Sequence, residues 1–203
     1  VYVIVGGFRA VAVTDALQGI VMFFGTSIIL IGTIVAGGGI SNIMNDLISI
    51  NPNLVTPFGH EGNLTPAYVS SYWILVGIGV VALPQIAVRA MSYKDAKSMH
   101  RALIISTVVV GFIMLSMHLT GVFARVILPN VEVVDQVMPL VTLEVLPPWL
   151  AGVVLAAPLA AIMSTVDSLL LLVSSAVVKD VYINYIKPTA SHKQIKRASY
   201  VVT

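Results

Sequence analysis

The sequence predicts an all-α integral membrane protein, and three observations carry that prediction. Charge is scarce, long apolar stretches recur, and the charges that exist alternate in sign from one connection to the next. Of the 203 residues, 58% are hydrophobic and only 10% are charged, where a soluble domain carries about 25% charged residues. That is too little charge to cover a globular surface in water, so an ordinary soluble domain is excluded.

A run of about 20 residues without Asp, Glu, Lys or Arg is long enough for a helix to cross hydrocarbon. Residues 16–36, 65–88 and 102–124 are such runs, and 149–178 is a fourth, interrupted only by Asp167. Residues 1–5 read as the tail of a preceding helix and 198–203 as the head of a following one. The expectation is a single transmembrane domain over residues 1–203, an internal piece of a longer, transporter-sized protein. There is no cysteine, which excludes disulfides and thiolate metal sites.

The connections give the orientation. Residues 6–14 hold Arg9; 37–64 hold Asp46 and Glu61 with no base; 89–101 hold Arg89, Lys94, Lys97 and Arg101 against Asp95. Then come Glu132, Asp135 and Glu144, with Arg125 at the edge, and finally Lys179, Lys187, Lys193, Lys196 and Arg197 against Asp180. All but Arg125 of the eleven basic residues fall on one side, and the positive-inside rule makes that side cytoplasmic. Tyr68, Tyr72, Trp73 and Trp149 then sit at the outer ends of spans, where an aromatic belt belongs. Within the long outer connection, residues 41–50 predict a short surface helix, and Asn51, Pro52 and Asn53 a turn.

Chemistry concentrates in the last span, around Pro158, Ala161, Ser164, Thr165, Asp167 and Ser168. At 100° per residue, Ala161, Ser164, Thr165 and Ser168 share one stripe about 100° wide, with Asp167 on its flank. Pro158 lacks an N–H, which frees a carbonyl near Val154 and invites a kink. Hydroxyls beside loosened carbonyls offer neutral oxygens to a hard cation such as Na⁺. The competing reading is structural: Ser and Thr in membrane helices bond their own i−4 carbonyls or join helices together. Spacing alone does not choose between the two. An aspartate at mid-depth costs about 2.5–3.5 kcal/mol on insertion scales, and chains that keep one generally place it on an ion or substrate path.

Asp15 is the second carboxylate of interest. Its structural reading is a helix start, with Thr14 or Asp15 as N-cap on the positive dipole end. Its functional reading is a carboxylate at the inner mouth that a departing cation passes. Gly77, Gly79 and Pro84 mark the second span as thin and breakable. Packing or snorkelling accounts for His118 and Arg125.

Other functions lack their residues. The four histidines, at 60, 100, 118 and 192, form no ligand spacing. Gly37, Gly38 and Gly39 lack the Lys-Ser/Thr of a phosphate loop, and no nucleophile elbow occurs. Without a convergent acid, base and nucleophile the chain is not expected to be an enzyme, and no organic cofactor is implied. Topology explains the basic clusters, so no nucleic-acid partner is required.

Three blocks resemble the sodium:solute symporter family, in one colinear order across nearly the whole chain. Gly6 to Val11 with Thr14, Asp15 and Gln18 is similar to the turn into that family's fifth core helix. Pro84 and Gln85 with Arg89 and then Ala96, Lys97 and Ser98 is similar to the end of the sixth and its inner loop. Ala160 to Thr165 is similar to the eighth, which carries the family's sodium site. The resemblance implies an inverted-repeat bundle of the LeuT type, with ten core helices working by alternating access, of which this chain would hold the end of the fourth to the start of the ninth.

It further implies Na⁺ bound by the Ala161 carbonyl and the Ser164 and Thr165 hydroxyls, with Asp15 on the inner exit route. Asp167 has no ligand role in the sugar-type pattern; with Ser168 it is expected on the ion pathway or tuning the site. Asp167 could tune the site, accept a hydrogen bond from Ser164 or Thr165, or bind the ion directly. Sugar-carrying members have aromatics where this chain has Gly77, Gly79 and Val80, which argues against a sugar and leaves the substrate contacts unassigned. The wording of the blocks resembles the pantothenate-carrying branch, which implies import of a small organic anion across a bacterial inner membrane. Proline, a monocarboxylate and a symporter-like sensor domain are the alternatives.

Overall fold

A single glycine, not a loop, breaks the first helix. In the structure, a computed structural model that describes residues 2–59 and 64–202 with side chains from Gly6 onward, helix α1 runs Tyr2–Ala36 and loses helical geometry only at Gly7 (φ 54°, ψ −151°). That backbone region is open to glycine and strained for other residues. The turn expected over 6–14 thus contracts to one residue, because Phe8 to Asp15 contain no helix breaker and the helix resumes at once. Glu61 and the terminal Val1 and Thr203 lie outside the described residues.

After Gly38 and Gly39, both at positive φ, helix α2 covers Ile40–Ile50, close to the expected surface helix. It presents Ile43 and Leu47, one turn apart and both fully buried. A 3-10 turn at Pro52–Val55 follows, started by the Asn51 side chain accepting from the Asn53 amide. The second expected span is two helices, α3 (Pro66–Val81) and α4 (Pro84–Met91), bent by 50° at the break. Pro84 starts α4, where its missing N–H costs nothing.

Helix α5 (Ala96–Ile127) is capped by Asp95, whose Oδ1 accepts from the Ser98 amide at 2.6 Å. Then come α6 (Val137–Val145), α7 (Pro148–Val154) and α8 (Ala156–Ser175). A π-helical stretch, Ala176–Ile186, continues from α8, and α9 (His192–Val202) begins six residues before the expected position 198. Among the described residues three helical runs are long and apolar enough to cross a membrane: Gly6–Ala36, Ala96–Ile127 and Pro148–Ile186. The bent pair α3–α4 makes a fourth if taken as one span.

Contacts divide the chain into residues 22–157 and a second unit of residues 1–21 with 158–203. The larger unit is built on two apolar clusters. Ile29, Ala124, Val141, Leu146, Ala151 and Val154 form one; Ile43, Leu47 and Phe123 form the other, with Leu30, Ile34 and Leu119 around it. Lipid tails are as apolar as these side chains, so close packing rather than water exclusion holds such helices together where they face lipid. Gly25 shows how close: a Cβ there would stand 2.7 Å from the Ala157 Cβ.

Buried hydroxyls in this unit are satisfied locally. Thr33 donates to the Ile29 carbonyl at 2.7 Å, Thr120 to Ser116 at 2.8 Å and Thr142 to Met138 at 2.7 Å. In the second unit, Ser174 on α8 reaches the Ser199 carbonyl of α9 at 3.5 Å.

Candidate functional site

A kink is expected from Pro158; only Leu155 separates α7 from α8, and its backbone stays in the right-handed helical region (φ −65°, ψ −12°). The Leu155 amide still closes on the Ala151 carbonyl at 2.9 Å. Pro158 therefore falls in the first turn of α8, where a proline is tolerated. Ala161 lies one turn further on.

Around Ala161 three oxygens converge. Ser164 Oγ donates to the Ala161 carbonyl at 3.0 Å, and Thr165 Oγ1 donates to the same carbonyl at 3.1 Å. Ser168 Oγ donates to the Ser164 carbonyl at 2.8 Å. The proposed ligand set is thus brought together, and the bond each hydroxyl makes is the structural one, back to its own helix. A hydroxyl that donates its proton keeps two lone pairs. Turning the Ser164 or Thr165 proton away from the Ala161 carbonyl moves no heavy atom and opens that carbonyl to a cation.

Asp167 flanks the hydroxyl stripe and is only 6% exposed, within the buried face of α8. At 100° per residue, Ala160, Ser164, Asp167, Ser174 and Val178 fall within about 80° of one another, and four of these five are buried, with Ser164 half-buried. Thr165 is exposed, and Ala161 and Ser168 are half-buried at the side of that face. Ser164 and Thr165 give their protons to Ala161 and not to Asp167.

Asp15 is not a helix cap. Helical geometry resumes after Gly7, so Thr14 and Asp15 sit well inside α1. Thr14 Oγ1 donates backwards, to Ala10 at 3.1 Å and Val11 at 3.0 Å. Asp15 Oδ1 is buried, and so is Gln18 Oε1 one turn later. Gln18 Oε1 accepts no hydrogen bond among the described residues. Its spacing from Asp15 is the signal in the sequence that marks it, since residues three apart share a helix face. Asp15, Gln18 and α8 from Pro158 onward all belong to the same unit.

Among the described residues no group of three or more His, Asp or Glu side chains could hold a metal ion. The oxygens on offer are hydroxyl and carbonyl, a set that suits a weakly held monovalent ion passing through rather than a resident divalent one.

The sequence pattern of the Sodium:solute symporter family matches residues 1–203. The chain belongs to the sodium:solute symporter family. It is 52% identical over 200 residues to the "Sodium/pantothenate symporter" of Haemophilus influenzae, covering 98% of this chain and 41% of that protein. To the "Sodium/pantothenate symporter" of Escherichia coli (strain K12) it is 47% identical over 204 residues, covering 100% of this chain and 42% of that protein. The "Osmoregulated proline transporter OpuE" of Bacillus subtilis is more distant, 30% identical over 198 residues, with 96% of this chain and 39% of that protein covered. This symporter-family chain therefore spans about two fifths of the length of the relatives it matches. No solved structure matches it. With its apolar helices, the family assignment makes it part of a multi-pass membrane protein.

Proposed function

We propose that this chain is the middle portion of a Na⁺-coupled importer of pantothenate, resident in a bacterial inner membrane. The observation that carries the reading is the convergence of the Ser164 and Thr165 hydroxyls on the Ala161 carbonyl beside the buried Asp167, in a family of sodium symporters. Identity supports the substrate, since the two sodium/pantothenate symporters share 52% and 47% of residues with this chain and the proline transporter 30%.

Na⁺ is the cargo that drives transport. Held by Ala161, Ser164 and Thr165, it favours the outward-open state, in which the substrate binds well. Asp167 adds negative charge behind the hydroxyls, and Asp15 with Gln18 lines the inner exit. Each positive charge entering through 100 mV contributes about 2.3 kcal/mol. The connections bearing Arg89 to Arg101 and Lys179 to Arg197 face the cytoplasm, and the remaining helices of the longer chain supply the substrate contacts. The chain's work is transport; it is not an enzyme and has no nucleic-acid partner.

The test is uptake of labelled pantothenate into vesicles carrying the full-length protein, with Na⁺ or K⁺ outside and excess proline as competitor. Uptake that needs Na⁺ and ignores proline is expected. Equal uptake in both ions would remove the coupling, and uptake blocked by proline would remove the substrate assignment.

A further inference from the structure

An unmatched cation lines a cleft that is otherwise almost wholly apolar. The π-helical stretch and α9 enclose a cleft of about 370 Å³ between Val177, Val181, Ile186 and Val201, with Tyr182, Gln194 and Arg197 as its polar members and Arg197 its one cation. Both walls belong to the same unit. Arg197 makes no ion pair or hydrogen bond among the described residues. From Ala176 to Val202 the sole acid is Asp180, which does not line the cleft, against Lys179, Lys187, Lys193, Lys196 and Arg197. Lys196 is steadied over the Tyr200 ring, 5.5 Å from its centre.

Ile186 and Gln194 flank the basic turn between the two helices. This mouth of the cleft therefore meets the membrane boundary, while Val201 lies deeper. An apolar slot with cations at its boundary end fits a ligand with a hydrocarbon tail and an anionic head. A packed helix would fill the aliphatic walls and leave Arg197 unmatched, and a free anion would leave the walls unused. Basic pockets between membrane helices on the cytoplasmic side are where anionic phospholipid heads bind.

We infer that the cleft between the π-helical stretch and α9 binds an anionic phospholipid of the inner leaflet, its acyl chain along Val177, Val181 and Val201 and its phosphate on Arg197 with Lys193 and Lys196. The inference rests on the membrane orientation proposed above. It ties the segment that follows the ion-site helix to the lipid composition of the cytoplasmic leaflet.

The test uses the detergent-solubilised full-length protein and native mass spectrometry with added phosphatidylglycerol or phosphatidylcholine. The wild type should retain phosphatidylglycerol at least about tenfold better than phosphatidylcholine. Neutralising three cations by Lys193→Gln, Lys196→Gln and Arg197→Gln should weaken retention by roughly 100-fold. Val181→Trp, which plugs the cleft and leaves every charge in place, should also abolish it. Equal retention of the two lipids, or retention of phosphatidylglycerol that survives both variants, overturns the inference. Na⁺-dependent pantothenate uptake by the same preparations reports folding and function separately. Uptake without selective lipid retention refutes the lipid site alone; selective retention without uptake supports the lipid site and refutes the transport reading.

Discussion

The hydroxyls of the larger unit and those of α8 make the same hydrogen bond in opposite surroundings. Thr33 and Thr120 are 0% exposed and Thr142 is 2% exposed, each giving its proton to one carbonyl a turn earlier. At Ala161 two hydroxyls share a single carbonyl, one of them exposed, with a buried carboxylate three residues after Ser164. The back-bond by itself therefore does not separate helix glue from an ion seat. Convergence does not separate them either, since Thr26 and Ser27 share the Phe23 carbonyl and the exposed Ser106 and Thr107 share the Leu103 carbonyl. What α8 has in addition is the buried Asp167 three residues after Ser164.

The comparison can be broken by substitution on either side. Ser164→Ala removes one of the two converging hydroxyls. At about 1.5–3 kcal/mol for a bond to a charged partner, the Na⁺ concentration for half-maximal uptake should rise by roughly 10- to 150-fold, with the folded protein intact. Gly25→Leu does the reverse. Its first added carbon would meet the Ala157 Cβ at 2.7 Å, and overpacking of this kind costs about 1–3 kcal/mol, so thermal unfolding of the full-length protein should fall by several degrees.

Asp167→Asn keeps the shape and removes the charge behind the site. Because residues three apart on a helix are neighbours at about 5–6 Å, the loss should weaken apparent Na⁺ affinity by about 100-fold at an effective dielectric near 20. An unchanged affinity would strike Asp167 from the ion's surroundings. Thr33→Val should leave the Na⁺ dependence within twofold and cost about 1 kcal/mol of stability, the usual net contribution of one hydrogen bond, here made within α1. A Thr33→Val effect on Na⁺ as large as that of Ser164→Ala would erase the distinction.

The smallest effect is at the boundary of α5. Its amide bonds from Ser98 hold the Asp95 carboxyl below the usual carboxylate range. A depressed value in the folded state contributes stability that is present above the ordinary carboxylate pKa of about 3.9 and is lost as pH falls through the lowered one. Protection of the Ser98 amide from exchange should therefore persist at pH 5, fade on stronger acidification, and lose that pH dependence in Asp95→Asn.

Charge scarcity and the long apolar runs made the all-α membrane class legible, and Pro84 marked where the second run bends. Asp15 was harder. Its cap reading assumed a helix starting near Thr14, yet Phe8 to Val13 contain nothing to stop a helix, and Gly7 is where it restarts. Asp167 flanks the stripe drawn through the hydroxyls. The buried face becomes visible only when Ala160, Ser174 and Val178 are counted with it, and which face of a membrane helix is buried depends on neighbours, since both faces are apolar. Nothing in the composition of Ala176 to Ile186 distinguishes a π-helix from an α-helix.

Binding of radiolabelled Na⁺ to the purified full-length protein tests the ion seat most directly, with wild type beside Ser164→Ala/Thr165→Ala and Thr33→Val/Thr120→Val. Loss of saturable binding in the first pair with binding kept in the second is the expected result. Binding that survives Ser164→Ala/Thr165→Ala would show that the converging oxygens of α8 do not hold the ion.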